Sequence, residues 1–322
     1  MGEHASAIES TQQALEAATG CKDTVTVSRA YYLLAFEAFW TGQYLQRIAY
    51  SQHAITLLEQ HKERGGLVYW IMGITFAHMG AFDEALQALD RAQAIGEALD
   101  EPHLQGIASH NKGMVYVWRD EREASIAACQ RGLALSSDPL GIAVALGALG
   151  MAYLEQGAPV EATPLLERSV QELGQIQHRT FQCWVAAFLS EAYRLSGQRE
   201  KARELALQEL AHARNLNNWF VVGLVQRVLG RVAYTHGQQA EAATHLQDAL
   251  QVFAAIQARF EVGRTHLELV ALTQALGQQA EAATHLRSAY ALFTELRVPR
   301  YVESTVHLAR ELEVSISEGH HA

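Results

Sequence analysis

Residues Gly237 to Leu246 read GQQAEAATHL, and residues Gly277 to Leu286 read the same ten letters again. Identity at a spacing of 40 residues marks an internal duplication. Working outward from that pair, the same turn signal recurs at Gly2, Gly42, Gly80, Asp120, Gly157, Gly197, Gly237 and Gly277, at intervals of 40, 38, 40, 37, 40, 40 and 40 residues. A period in the range of about 20–50 residues is the signature of a solenoid, in which no unit can bury its apolar face alone and each must stack on its neighbours.

Each period reads as two antiparallel helices. In the repeat around Gly80, Leu67 to Met79 forms helix A, Gly80-Ala81-Phe82-Asp83 turns the chain, and Glu84 to Leu99 forms helix B. Glycine at the turn suits the left-handed conformation that ends a helix. Ala85, Ala162, Ala202, Ala242 and Ala282 all stand five residues after a turn signal, where two helices cross closely, and Leu89, Leu166, Leu246 and Leu286 follow one helical turn later. This alternation of small and large residues is what interdigitated helix packing requires.

The helix A residues carry a family resemblance. A bulky residue, then Leu-Gly, then an aromatic is matched by Tyr69, Met72-Gly73 and Phe76, by Leu146, Leu149-Gly150 and Tyr153, and in part by Leu189-Ser190 with Tyr193 and by Leu229-Gly230. In these positions the chain resembles the tetratricopeptide-repeat family, over nearly its whole length. The resemblance implies an all-α, right-handed superhelix of about seven repeats whose concave groove binds a protein or peptide. Two features depart from the family pattern: the period is nearer 40 than about 34 residues, and the proline after helix B is missing from most units. The longer variety is similar to the helical regions of large bacterial regulators, such as the maltose-regulon type of transcription activator and multidomain ATPases or nucleotide cyclases.

The period runs end to end without a Pro/Ser-rich linker, so residues 1–314 are expected to form a single solenoid. Residues 1–20 read as a half repeat, a helix B whose helix A is absent, with Ile8 and Leu15 on one face. The stacked repeats cover 21–298, and 299–314 form a capping helix with Val302, Val306, Ala309 and Leu312 inward and Glu303, Arg310, Glu311 and Glu313 outward. Residues 315–322 are expected to be a disordered tail, in which His320-His321 is too short for a metal site. The open N-terminal repeat offers a surface through which an oligomer could form.

Composition sets the remaining bounds. The chain is 49% hydrophobic and 19% charged, enough apolar material for an extended core. Its net charge of −10 gives no general field for nucleic acid or an anionic membrane. Cys21, Cys129 and Cys183 lie in separate repeats without a CxxC, which fits reduced thiols and a cytoplasmic setting. The longest uncharged stretch, Leu140 to Leu154, is 15 residues, short of the roughly 18–20 a membrane span needs. It opens on Ser137-Asp138-Pro139, an N-cap followed by proline, as a buried helix does. No phosphate loop, HExxH metal helix or nucleophile elbow occurs, and no cofactor or metal is implied. The expectation is therefore a non-enzymatic recognition module.

The positions ten, six, three and two residues before each turn signal fall within an arc of about 120° on helix A, the face that lines the groove. Early repeats place Tyr32, Phe36, Trp40, Trp70, His78, His110, Met114 and Trp118 there, and later ones Glu191, Arg194, Arg227, Arg231 and Tyr234, with Arg264 one turn earlier. The groove would then be aromatic at its N-terminal end and cationic at its C-terminal end. Two readings stand for each end. The tryptophans either pack between helices or form a pocket for an apolar partner. The arginines either pair with Glu191, Glu261 and other helix carboxylates or capture an acidic group of a peptide or of a small effector.

Overall fold

The structure, a computed structural model, describes residues 3–21, 23–60 and 65–316. Its described residues form helices and turns with no strand. α1 (Glu3–Gly20) stands alone, and seven antiparallel pairs follow. They are α2 (Thr24–Trp40) with α3 (Tyr44–Gln60), α4 (Gly66–Met79) with α5 (Phe82–Leu99), α6 (Pro102–Trp118) with α7 (Arg122–Leu135), and α8 (Pro139–Glu155) with α9 (Pro159–Gln175). The series continues with α10 (Arg179–Leu195) and α11 (Arg199–Asn215), α12 (Trp219–Thr235) and α13 (Gln239–Ala255), and α14 (Arg259–Ala275) and α15 (Gln279–Glu295), and ends on α16 (Pro299–Glu311). The chain is an all-α solenoid, and the repeating pair is the one the 40-residue period implies.

The turn between the helices of a pair is built as its glycine demands. Gly42, Gly80, Gly157, Gly197, Gly237 and Gly277 all have φ between 72° and 86°, and Asp120 takes the same left-handed conformation at φ 66°. Gly2 lies outside the described residues. At Gly80 the amide donates to Ala77 O and the next amide, of Ala81, to Phe76 O, which closes the orphan carbonyls of α4. A second set of left-handed residues ends B helices, at Asp100, Gln177, Asn217, Gln257 and Arg297, and Glu313 follows α16; none of them is glycine. Apart from Asn217, none of these is a residue type that advertises that conformation.

Small-into-large packing joins the two helices of a pair. Ala85, Ala162, Ala202 and Ala242 have no exposed surface, and neither do Leu89, Leu166 and Leu286. A Cβ at Gly73, Gly150 or Gly230 would lie 2.6, 2.7 or 2.8 Å from the side chain of Leu89, Leu166 or Leu246, so the backbones approach too closely for any larger residue. The first repeat departs from this rule: Arg47 stands five residues after Gly42, where most other repeats have alanine, and is fully buried. Its Nη2 donates to Ile71 O at 3.0 Å, and burial drives the guanidinium well below its ordinary pKa.

The ends are closed differently. On α1, Ile8, Leu15 and Ala18 turn inward while Glu9, Gln12, Gln13 and Glu16 face outward, giving the lone helix a polar outer face. On α16, Thr305 and Ala309 are buried, and Leu308 and Leu312 pack on the cluster formed by Val270, Ala282, Leu286 and Ala309. The tail expected to fray from Ser315 begins packed instead. Val314 and Ile316 join that same cluster, and Arg287 Nε donates to Ser315 O at 3.1 Å, because the apolar side of α15 extends past the end of α16. Residues 317–322 lie outside the described residues.

The superhelix closes on itself through its lumen. α4 touches α14. A Cβ on Gly42 would sit 2.4 Å from Ile256 Cγ2, and one on Gly80 2.9 Å from Leu296 Cδ1, so the turns of the first two repeats rest against those that end α13 and α15. Between them lies an aromatic plug. His78 stacks on Phe220 with centroids 4.0 Å apart, and Phe260 meets both Phe82 at 5.1 Å and Trp118 at 5.8 Å.

Candidate functional site: a divided lumen

The inner stripes of α10 and α12 change chemistry along their length. On α12 the stripe runs Phe220, Leu224, Arg227, Arg231; on α10 it runs Phe181, Trp184, Phe188, Glu191. On these two helices the aromatics stand towards the N-terminal end and the charges towards the C-terminal end. The lumen is also divided along the repeats: α2, α4 and α6 line only the apolar cavity, out to His78 and Met114 near their C-terminal ends, while Arg264 of α14 and Arg300 of α16 line only the charged one. The four positions read from each repeat sample the C-terminal half of helix A only, and so pass over the N-terminal aromatics of α10 and α12.

The apolar half holds a cavity of about 290 Å³ whose wall comes from α2, α4, α6, α8, α10 and α12. Tyr32, Phe36, Trp70, His78, His110 and Met114 line it, as do residues outside the expected set: Phe181, Trp184 and Phe220, with His178 and Asn218 at the N-caps of α10 and α12. Extending the inner stripe back by one or two helical turns would have found the three aromatics. Trp118 is not part of the wall. It is 4% exposed and stacked on Phe82 at 5.8 Å, because its place at the last residue of α6 puts it in the central plug. Trp40 ends α2, and its side chain lies outside the described residues.

Among the described residues, no Asp, Glu, Lys or Arg lines the cavity. Burial holds three of its imidazoles neutral: His78 is lowered to about 3 and His110 to about 4, and His178 is lowered as well, while His103 is exposed and lies 3.4 Å from Asp138 Oδ2. Tyr44 Oη lies 3.0 Å from His78 Nδ1 and holds the ring against Phe220. Four polar atoms in the wall have no hydrogen-bond partner: Trp70 Nε1, His110 Nδ1, His178 Nδ1 and Asn218 Nδ2.

The charged half is a second cavity, of about 230 Å³, lined among others by Glu155, Glu191, Arg227, Arg231, Arg264 and Arg300. Its arginines are paired. Arg227 forms an ion pair with Glu261, Arg231 reaches Glu191 and Glu268 at 2.6 Å each, Arg194 meets Glu191 at 2.8 Å, and Arg264 binds Glu155 at 2.9 Å. Arg227 is 3% and Glu261 3% exposed, so the pair is desolvated. Burial alone would raise the Glu191 and Glu261 carboxyls, but the guanidiniums around them outweigh it and hold both below the usual carboxylate range. The Arg264–Glu155 pair joins α14 to α8 across three repeats and belongs to the closure of the superhelix. Tyr234 stands apart, 39% exposed. Of the two readings of the arginines, this geometry is that of carboxylate pairing.

Helix pairs that stack, close at Gly-ended turns and lock an alanine under a leucine are decisive. The fold is that of tetratricopeptide-like helical repeats. The Rap conjugation gene regulator of plasmid pLS20, solved in complex with a Phr peptide, aligns over 87% of this chain and 77% of its own, with 12% identity and a TM-score of 0.70. A Rap protein complexed with competence and sporulation factor aligns over 90% and 83% of the two chains, with 13% identity and a TM-score of 0.64. A signal-transduction ATPase with a tetratricopeptide-repeat sensor from Pyrococcus horikoshii aligns over 86% of this chain and 42% of its own, with 17% identity and a TM-score of 0.56. At these identities the likeness is one of fold. No family model and no curated protein matches the sequence. No helix among the described residues is long and apolar enough to cross a membrane.

Proposed function

We propose that the protein is a non-catalytic recognition module, a regulatory or scaffolding part of a bacterial signalling or transcription-control protein, that takes the apolar portion of a peptide into the N-terminal half of its lumen. The observation that carries this is the uncharged cavity built jointly by six successive A helices. A site spread over so many repeats couples its occupant to the pitch of the whole superhelix, because each repeat contacts only its neighbours and small rotations add. The Rap proteins of the same fold, solved with peptides bound, support the peptide reading.

A second reading, a small-molecule effector, is favoured by the closed lumen. Contacts such as His78 with Phe220 turn an open groove into a pocket near the size of small-ligand sites, roughly 300–1,000 Å³. Trp70 and Trp184 in the wall report on either occupant. Titrating apolar peptides into the protein should shift and protect their fluorescence, and Val144→Phe, which fills the cavity from α8, should abolish the response without lowering the melting temperature. A response that survives Val144→Phe would place binding elsewhere.

A further inference from the structure

The chemistry of the cavity wall selects among apolar ligands. Asn218 is the N-cap of α12: its Oδ1 accepts from Val221 N at 3.3 Å. That bond fixes the orientation of the side-chain amide, so Nδ2 can act only as a donor. The residue is 1% exposed, and Nδ2 has no partner. Trp70 Nε1 is a donor by its nature and is also unpartnered. Both residues line the same cavity, contributed by helices on opposite sides of the lumen, α12 and α4.

Buried donors without acceptors are costly, and a hydrocarbon filling this space would leave both unpaired. A charged acceptor is disfavoured too, since among the described residues no Lys or Arg lines the wall and burial keeps His78 and His110 neutral. We infer that the cavity selects a neutral, largely apolar ligand whose carbonyl oxygen accepts hydrogen bonds from Asn218 Nδ2 and Trp70 Nε1. This rests on the reading of the cavity as the recognition site. The same chemistry is available from two sources, the backbone carbonyl of a peptide between apolar side chains or a free ketone, ester or amide.

The test uses the full chain and three probes. Benzophenone and diphenylmethane have the same two rings and differ by one carbonyl; N-acetyl-phenylalaninamide supplies the carbonyl in peptide form. Calorimetric titration should show a carbonyl probe binding at least about tenfold more tightly than diphenylmethane, and the tighter of the two carbonyl probes identifies the source. Asn218→Asp keeps the N-cap acceptor while replacing the donor, and Trp70→Phe keeps the ring while removing the N–H. The carbonyl preference, a ratio of two affinities for the same folded variant, should fall below about threefold in the double variant whatever stability the buried carboxylate costs. Equal binding of benzophenone and diphenylmethane to the unmodified protein overturns the inference and leaves the cavity reading standing. A carbonyl preference that persists in the double variant overturns it equally. Binding of none of the three overturns both.

Discussion

The two halves of the lumen share α8, α10 and α12, yet one is held together by shape and the other by charge. In the apolar half, aromatic and aliphatic side chains leave about 290 Å³ and several unpartnered polar atoms. The charged half has a cavity of similar size, but each of its inner arginines meets a carboxylate. Unsatisfied polar groups in an apolar wall are a feature that a ligand can relieve. A satisfied ion network already holds its partners, and an acidic ligand entering it would have to displace a glutamate. The difference teaches that residue type alone does not locate a site: arginines suited to capturing a carboxylate are already occupied by carboxylates of the same protein.

The largest expected effect breaks the charged half. Arg227→Met leaves Glu261 buried without its principal counter-charge and should lower unfolding free energy by about 3–5 kcal/mol in denaturant titration. The double variant Arg227→Met with Glu261→Leu should recover most of that loss, since an apolar pair of similar volume often replaces a buried ion pair at little cost. Apolar ligand binding should be untouched in the double variant. Full stability in Arg227→Met, together with weakened binding of an acidic peptide, would show instead that the arginines serve a ligand.

Acid should strike the apolar half first. His78 and His110 are neutral in the fold, with pKa values near 3 and 4, and near 6.5 once unfolded. Between those limits the unfolded chain binds more protons than the folded one, so stability falls as pH falls. Moving from pH 7 to pH 5 should cost about 2 kcal/mol for each imidazole, while most carboxylates still remain ionised. His266, lowered to about 4 by burial, contributes in the same direction from outside the cavity, so His78→Phe should remove no more than about a third of the dependence. A melting temperature that is flat from pH 7 to 5 would mean that the two rings are solvated in solution.

How much of this was legible in the sequence follows from the range over which each signal acts. Turn glycines, crossing alanines and the Leu-Gly pairs are local and repeat at a fixed spacing, so the helix pairs could be drawn before the structure was seen. Tyr32, Phe36, Trp70, His78, His110 and Met114 were on the inner face for the same reason. Contacts such as His78 with Phe220, or Arg264 with Glu155 across 109 residues, depend on the accumulated rotation of several repeats. No local pattern encodes that sum. Trp118 illustrates the limit, since its helical position is that of a groove residue and only the closure of the superhelix buries it. Asn218 was missed because an N-cap asparagine already has a structural explanation, and its unused donor becomes visible only with the amide placed.

The smallest effect compares the turns at the two edges of the lumen. Those at the charged edge end the A helices on glycine, as at Gly237, with φ 72° and open space where a Cβ would stand. Those at the apolar edge end the B helices on residues such as Gln177, with φ 57°, directly before His178 in the cavity wall. A left-handed backbone costs a side-chain-bearing residue roughly 1–2 kcal/mol, and glycine nothing. Gly237→Ala should therefore lose about 1 kcal/mol, purely from backbone strain, because nothing crowds the new methyl group. Gln177→Gly relieves strain in the folded state but gives the unfolded chain more freedom, so its gain should be smaller, at most about 1 kcal/mol. Opposite signs in the two variants would show that the apolar edge carries strain that the charged edge avoids. If Gln177→Gly gains stability while weakening the binding of apolar peptides, that strain helps to hold His178 in the wall; a gain with unchanged binding makes it a property of the turn alone.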